Sequence, residues 1–327
     1  MLALVGCTAP VPPHALPVAP PPRELFAFHV DFWPNLSESL FHESLLPRPG
    51  FQGPKSLAQK DVAAASALEG DERTAWQRAL SYYDGHFSTR TTFEPLFDGG
   101  SRFFASSGSA PALASGSLPE DWRAVLTGAA PAYRAHFWPE HERRDRAYVA
   151  ALAPALAAHG DWMARRLEAV YQTPWPAAPV VVEVTAAAAP FGARTTGEPP
   201  FTGTHAPLIT VSSEDPGYAG DTGLEMIFHE VSHLLVDKVQ AALEDSAKRQ
   251  GRSLDKDLWH ALVFYTAGAL TRERLGPAYV PYSDRPEHSV FSGRWSRYGA
   301  VFVQAWQPYL DGRVGLEAAV DAVVAAL

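Results

Sequence analysis

Met226-Ile227-Phe228-His229-Glu230-Val231-Ser232-His233-Leu234-Leu235-Val236 is the stretch whose reading decides the fold. Apolar residues flank an HExxH pentapeptide on both sides, and neither internal position, Val231 nor Ser232, carries a charge. The run therefore reads as a buried helix. Residues four apart lie one above the other on a helix face, so the imidazoles of His229 and His233 converge on one point. That geometry suits Zn²⁺, which takes imidazole nitrogens at about 2.0–2.1 Å. Glu230 sits beside the same point without competing for it, placed to act as general base on a zinc-activated water. Upstream, Thr222-Gly223-Leu224-Glu225 has the form of a capping box and predicts a helix start one turn before the motif. The competing reading is a core helix whose two histidines are simply hydrogen-bonded.

The segment His229-Glu230-Val231-Ser232-His233-Leu234-Leu235-Val236-Asp237 resembles the active-site helix of zincin metallopeptidases, including the thermolysin-like gluzincins. Asp237 matches a polar residue those enzymes carry one turn past the second histidine. A looser similarity to bacterial zincin-like lipoproteins runs from Pro179 to the C-terminus, as strand, Gly- and Thr-rich loop, strand, HExxH helix and second helix. The resemblance implies an α+β, mainly α fold with a small β-sheet and a hydrolytic site, but not a substrate. One HExxH helix predicts one Zn²⁺ per chain, and a metallopeptidase acting on a peptide or protein substrate is the expected function. Zincins also place an edge strand beside the metal helix, where an extended peptide adds by β-augmentation.

A catalytic zinc site needs a third protein ligand. Ten residues after His229 stands Val239, and twenty after His233 stands Ser253, so neither the metzincin nor the thermolysin spacing is met. His260, in the apolar run Trp259-His260-Ala261-Leu262-Val263-Phe264-Tyr265, is the first choice, with Asp257 as a carboxylate to orient it. Asp257 itself, Glu244 and Glu273 are the alternatives, and a core histidine bonded to a carbonyl is the structural reading of His260. For the donor to a tetrahedral oxyanion the candidates are Tyr265, Tyr282, His288 and Tyr298, with Tyr265 preferred because it shares the helix of His260. Asp237 either bonds a ligand histidine or faces solvent. A binding or scaffolding protein that keeps the fold without turnover, and a hydrolase of non-peptide amides or esters, are the rival functions.

Working outward, Val180-Val181-Val182-Glu183-Val184 and Leu208-Ile209-Thr210-Val211-Ser212 read as strands. Between them, Ala186 to Pro207 reads as a long loop or a hairpin with irregular arms, with Gly192 to His205 overhanging the cleft. Asn35 or Ser37 is expected to cap a short helix through Leu46, and His29 and His42 read as packing or surface residues. A helix is expected over 61–87 and a Gly/Ser-rich loop over 98–117. Four helices follow, at 119–127, 130–137, 139–157 and 160–172, broken by Pro131, Pro139 and Gly160. Further helices are predicted at 254–275, 299–310 and 316–327. The expected division is a mainly helical portion at 24–174 and a zincin-like metal-binding portion at 175–327.

With 46% hydrophobic and 19% charged residues over 327 positions, the chain can bury a sizeable core. A net charge of −9 and the lack of a basic run argue against nucleic acid as a partner. The single cysteine, Cys7, rules out an internal disulfide or a cysteine-ligated metal. Leu4-Val5-Gly6-Cys7 fits a bacterial lipobox, and the seven prolines between Thr8 and Pro22 read as a stiff tether. A lipid anchor at Cys7 in a bacterial cell envelope is the expected contact with membrane. With no Lys or Arg before Cys7, that reading requires in-frame basic and apolar residues upstream of Met1.

Overall fold

The β-branched run at Val180 forms strand β2 (Val180–Thr185), and Leu208–Ser212 forms β4, its parallel neighbour. The computed structural model describes residues 23–47, 55–87, 95–114, 118–188, 190–196, 207–288, 290–293 and 295–327. Cys7, the proline-rich stretch to Pro22, and residues 197–206 of the loop expected to overhang the cleft lie outside these residues. Before β2 come β1 (Phe26–His29), α1 (Phe32–Leu45), α2 (Lys55–Ala67), α3 (Gly70–His86), α4 (Pro95–Ser107), α5 (Glu120–His136) and α6 (Trp138–Tyr171). Strand β3 (Ala193–Thr196) lies between β2 and β4 in sequence. After β4 come α7 (Gly220–Ser232), α8 (Asp237–Gln250), α9 (Leu258–Leu275), α10 (Ser296–Val301), α11 (Gln307–Leu310) and α12 (Leu316–Ala326), with a π-helical turn joining α10 to α11. The fold is α+β and mainly α, as expected. Among the described residues no helix is long and apolar enough to cross a membrane.

The strands form one sheet in the order β1-β2-β4-β3, with β3 antiparallel at the edge and the other pairs parallel. Alternate residues of a strand face opposite ways. Phe26, Val180, Val182, Val184, Ile209 and Val211 enter a core with the second half of α6 and with α7, α9 and α12. A second core, rich in aromatic rings, joins α1, α3, α4 and α5 around Trp76, Tyr83, Trp122 and Tyr133. The cores do not follow the expected division at 174. β1 and residues Leu152 to Tyr171 of α6 belong to the first core, because β1 satisfies its backbone groups against β2.

Several expected breaks are continuous helix. Gly160 lies inside α6, where an added Cβ would come within 3.3 Å of Leu25, so this glycine serves close packing rather than termination. Pro131 lies on the exposed side of α5, where the carbonyl it leaves unbonded meets water. The first half of the expected loop at 98–117 is helix, the part of α4 that ends at Ser107. A Cβ on Gly100 would stand 2.2 Å from the Trp122 ring, so the glycine admits that ring between the helices. Asn35 is not a cap; Asp31 precedes α1. The Asn35 amide instead donates to Val184 O at 3.2 Å and accepts from Ala186 N at 2.9 Å, tying α1 to the end of β2.

Candidate metal centre

α7 begins at Gly220 after Ala219, with no side-chain cap, so the expected capping box does not form. Glu225 is buried instead. Its carboxylate accepts from the Tyr279 hydroxyl at 2.5 Å and from Tyr282 N at 3.0 and 3.1 Å, and burial pushes it up to about 7. This carboxylate fastens the 279–282 segment to α7 one turn before His229. Regular helix ends at Ser232, and His233 caps it in helical geometry, so the i, i+4 relation of the two histidines survives.

His229, His233 and His260 converge, with one ligand atom of each lying within 4.8 Å of the others. The Nε2 atoms of His229 and His233 are 3.4 Å apart. Two nitrogens bound tetrahedrally at about 2.0–2.1 Å from one ion stand about 3.3–3.4 Å apart, so the pair fits a shared Zn²⁺ without rearrangement. Burial, followed by the neighbouring imidazoles, holds His229 and His233 well below the usual histidine range. Both are therefore neutral, the form that ligates metal. Apolar and aromatic walls enclose them: Phe264 lies 3.9 Å from the His229 ring, Trp259 is edge-on to His233 at 5.4 Å, and Trp295 is edge-on to His260 at 5.3 Å.

Glu230 stands outside the three converging groups. The Thr195 hydroxyl lies 2.7 Å from its Oε2 and 2.8 Å from its backbone carbonyl, joining edge strand β3 to α7. Burial raises the carboxyl to about 7, opposed by the Thr195 hydrogen bond and the Arg194 charge.

Of the alternative ligands, none is brought to the cluster. Glu244 accepts from Gln240 at 3.3 Å, Glu273 pairs with Arg166 at 2.9 Å, and Asp257 stands at the N-cap position of α9 with no side-chain capping bond, outside the group of three imidazoles. Asp237 opens α8 with a shielded Oδ1 that accepts no hydrogen bond, and burial raises its carboxyl. Tyr265 is not brought to the histidines either. Five residues past His260 on a helix of 3.6 residues per turn, it leaves on another face, and its hydroxyl donates to Gln307 Oε1 at 2.7 Å. Tyr298 is buried and receives a hydrogen bond from Arg297.

Tyr282 and His288 are linked to the histidines through Phe264. Their rings stack at 3.7 Å, and Tyr282 lies 6.0 Å from Phe264, which covers His229. Tyr218 was not singled out from the sequence. It follows Pro216-Gly217 immediately before α7, its hydroxyl donates to Phe191 O at 2.9 Å, and its ring lies 5.8 Å from that of Tyr282. Both phenols are raised chiefly by burial, and also by nearby negative charge: Asp215, Glu225 and Glu230 for Tyr282, and Glu230 and Asp215 for Tyr218. A tyrosine one short turn ahead of the HExxH helix was the available signal. Compared with family models, curated proteins and solved structures, the chain matches none of them.

Proposed function

We propose that this chain is a zinc-dependent hydrolase of the zincin type, acting on peptide bonds. The observation that carries the reading is the convergence of three imidazoles, His229, His233 and His260, with the buried carboxyl of Glu230 beside them. Zn²⁺ held there would supply Lewis acidity to the substrate carbonyl and to the attacking water. Glu230 takes the proton of that water and returns it to the leaving amine. Thr195 fixes Oε2, which leaves Oε1 as the oxygen that carries the proton. Tyr282 is the donor for the developing oxyanion, backed by the stacked His288 and held in place by Glu225.

Metal analysis tests the site. Protein purified without chelator should carry one Zn²⁺ at this centre, and His229→Ala with His233→Ala should remove it. His260→Ala should weaken binding strongly, whereas Glu244→Ala and Glu273→Ala should not. Zinc stripped by Glu273→Ala and kept by His260→Ala would give the third position to a carboxylate and overturn the assignment. Bound zinc with no turnover in a peptide and casein screen would favour the scaffold.

Thr195→Val gives a second test. A hydrogen bond to a carboxylate favours its charged form, so removing the hydroxyl should raise the Glu230 pKa. The acid limb of kcat/KM against pH should then move to higher pH. An unmoved limb means that Thr195 does not set the base.

A further inference from the structure

A second set of metal-ligating side chains lies on the opposite face of the sheet. His29 and Glu183 are register partners on β1 and β2, and Asp31 follows two residues after His29, at the entrance to α1. One ligand atom from each of the three lies within 4.8 Å of the others. His29 Nδ1 is 3.4 Å from Glu183 Oε1 and 3.9 Å from Asp31 Oδ2. The Glu183 side chain is 1% exposed, yet neither of its oxygens accepts a hydrogen bond. A buried carboxylate in that condition is costly unless a cation reaches it. Asp31 is already oriented: Oδ1 accepts from the Ser109 hydroxyl at 2.9 Å, which leaves Oδ2 for the cluster. His29 is 43% exposed and gives the site an open side towards water.

We propose that His29, Asp31 and Glu183 hold a second divalent cation, of the Zn²⁺ class, with a structural role. Tetrahedral ligands at 2.0–2.2 Å from one ion stand about 3.3–3.6 Å apart; the His29–Glu183 separation of 3.4 Å meets this, and the His29–Asp31 separation of 3.9 Å needs the Asp31 side chain to close by a few tenths of an ångström. One imidazole with two carboxylates suits Zn²⁺ better than Mg²⁺ or Ca²⁺, which prefer oxygen alone. The ion would join β1 and β2 of the first core to the residue that opens α1 of the second. Through Ser109 it would also reach the segment after α4.

The site shares no residue with the histidine cluster, so the two stand or fall separately. Zn²⁺ alone is titrated into the metal-free His229→Ala/His233→Ala chain. One ion per chain should bind and raise the thermal midpoint. Adding Glu183→Gln should weaken that binding by more than about 100-fold, beyond the loss typical of outer-shell changes, and abolish the rise in midpoint. No binding, or binding unchanged by Glu183→Gln, would overturn the proposal. Should the double variant fail to fold, wild type and His29→Ala are compared instead. Wild type should hold one Zn²⁺ more than His29→Ala, whatever the histidine cluster contributes, and equal counts would overturn the site.

Discussion

Glu230→Gln should keep its zinc and lose hydrolysis by about 10²–10⁴-fold, the range expected when a general base is removed. The glutamine amide has nearly the shape of the carboxylate, and its oxygen can still accept from Thr195, so neither α7 nor β3 need move. What disappears is the ability to take a proton at neutral pH. The loss should fall on kcat and on kcat/KM alike, since the interaction is realised in the transition state. A substrate found in the peptide and casein screen provides the assay, and zinc content measured on the same sample separates loss of base from loss of metal. Turnover at the wild-type rate in a zinc-loaded Glu230→Gln protein would remove Glu230 from the mechanism.

The other large effect concerns stability. Glu38→Ala should cost about 3–5 kcal/mol, because it leaves the Arg194 guanidinium buried without its carboxylate. Both side chains are 4% exposed; Arg194 Nη1 donates to Glu38 Oε2 at 3.0 Å, Nη2 pairs with Oε1, and the guanidinium also covers the Phe97 ring at 5.2 Å. Replacing both partners by apolar residues, as in Glu38→Leu/Arg194→Met, should recover most of the loss, since the penalty lies in the orphaned charge. Urea unfolding of the three proteins checks this. A Glu38→Ala protein within about 0.5 kcal/mol of wild type, the range of ordinary surface substitutions, would deny the pair its role. Arg194 adjoins Thr195 on the four-residue strand β3, so the same variant should also loosen the hold on Glu230.

The sequence made the centre of the site legible because its information is local. An i, i+4 pair on a buried helix fixes two imidazoles whatever surrounds it, and the apolar run around His260 marked an imidazole that needed a polar partner. Strands β2 and β4 were legible from β-branched runs. Tyr265 was preferred for sharing a helix with His260, but sharing a helix does not mean sharing a face, and its hydroxyl meets Gln307. Glu225 satisfied a capping pattern, yet its partners come from Tyr279 and Tyr282, more than fifty residues away, which no local pattern reveals. The same reason hid Glu183, His29 and Arg194. Glu183 and Arg194 sit on strands β2 and β3, whose outer face is covered by α1 and α4, so these polar residues are buried, whereas alternation alone suggests that they meet water; His29, on β1, is exposed. Gly100 and Gly160 misled because glycine marks both chain breaks and tight helix contacts, and only the Trp122 and Leu25 side chains show which applies.

Strand β1 has a consequence for how the molecule is made. Its parallel partner β2 lies more than 150 residues further along the chain, and all of α1 to α6 intervene. At about 5–20 residues per second, a ribosome needs roughly 8–30 s to deliver β2 after β1 has appeared. The aromatic core of α1, α3, α4 and α5 can close within that interval, because its contacts need nothing beyond α6. Phe26-Ala27-Phe28 stays unpaired throughout, an apolar strand awaiting its neighbour in the nascent chain. Synthesis from the N-terminus therefore orders assembly: the helical lobe first, the sheet second, and the three histidines last, on a scaffold already in place.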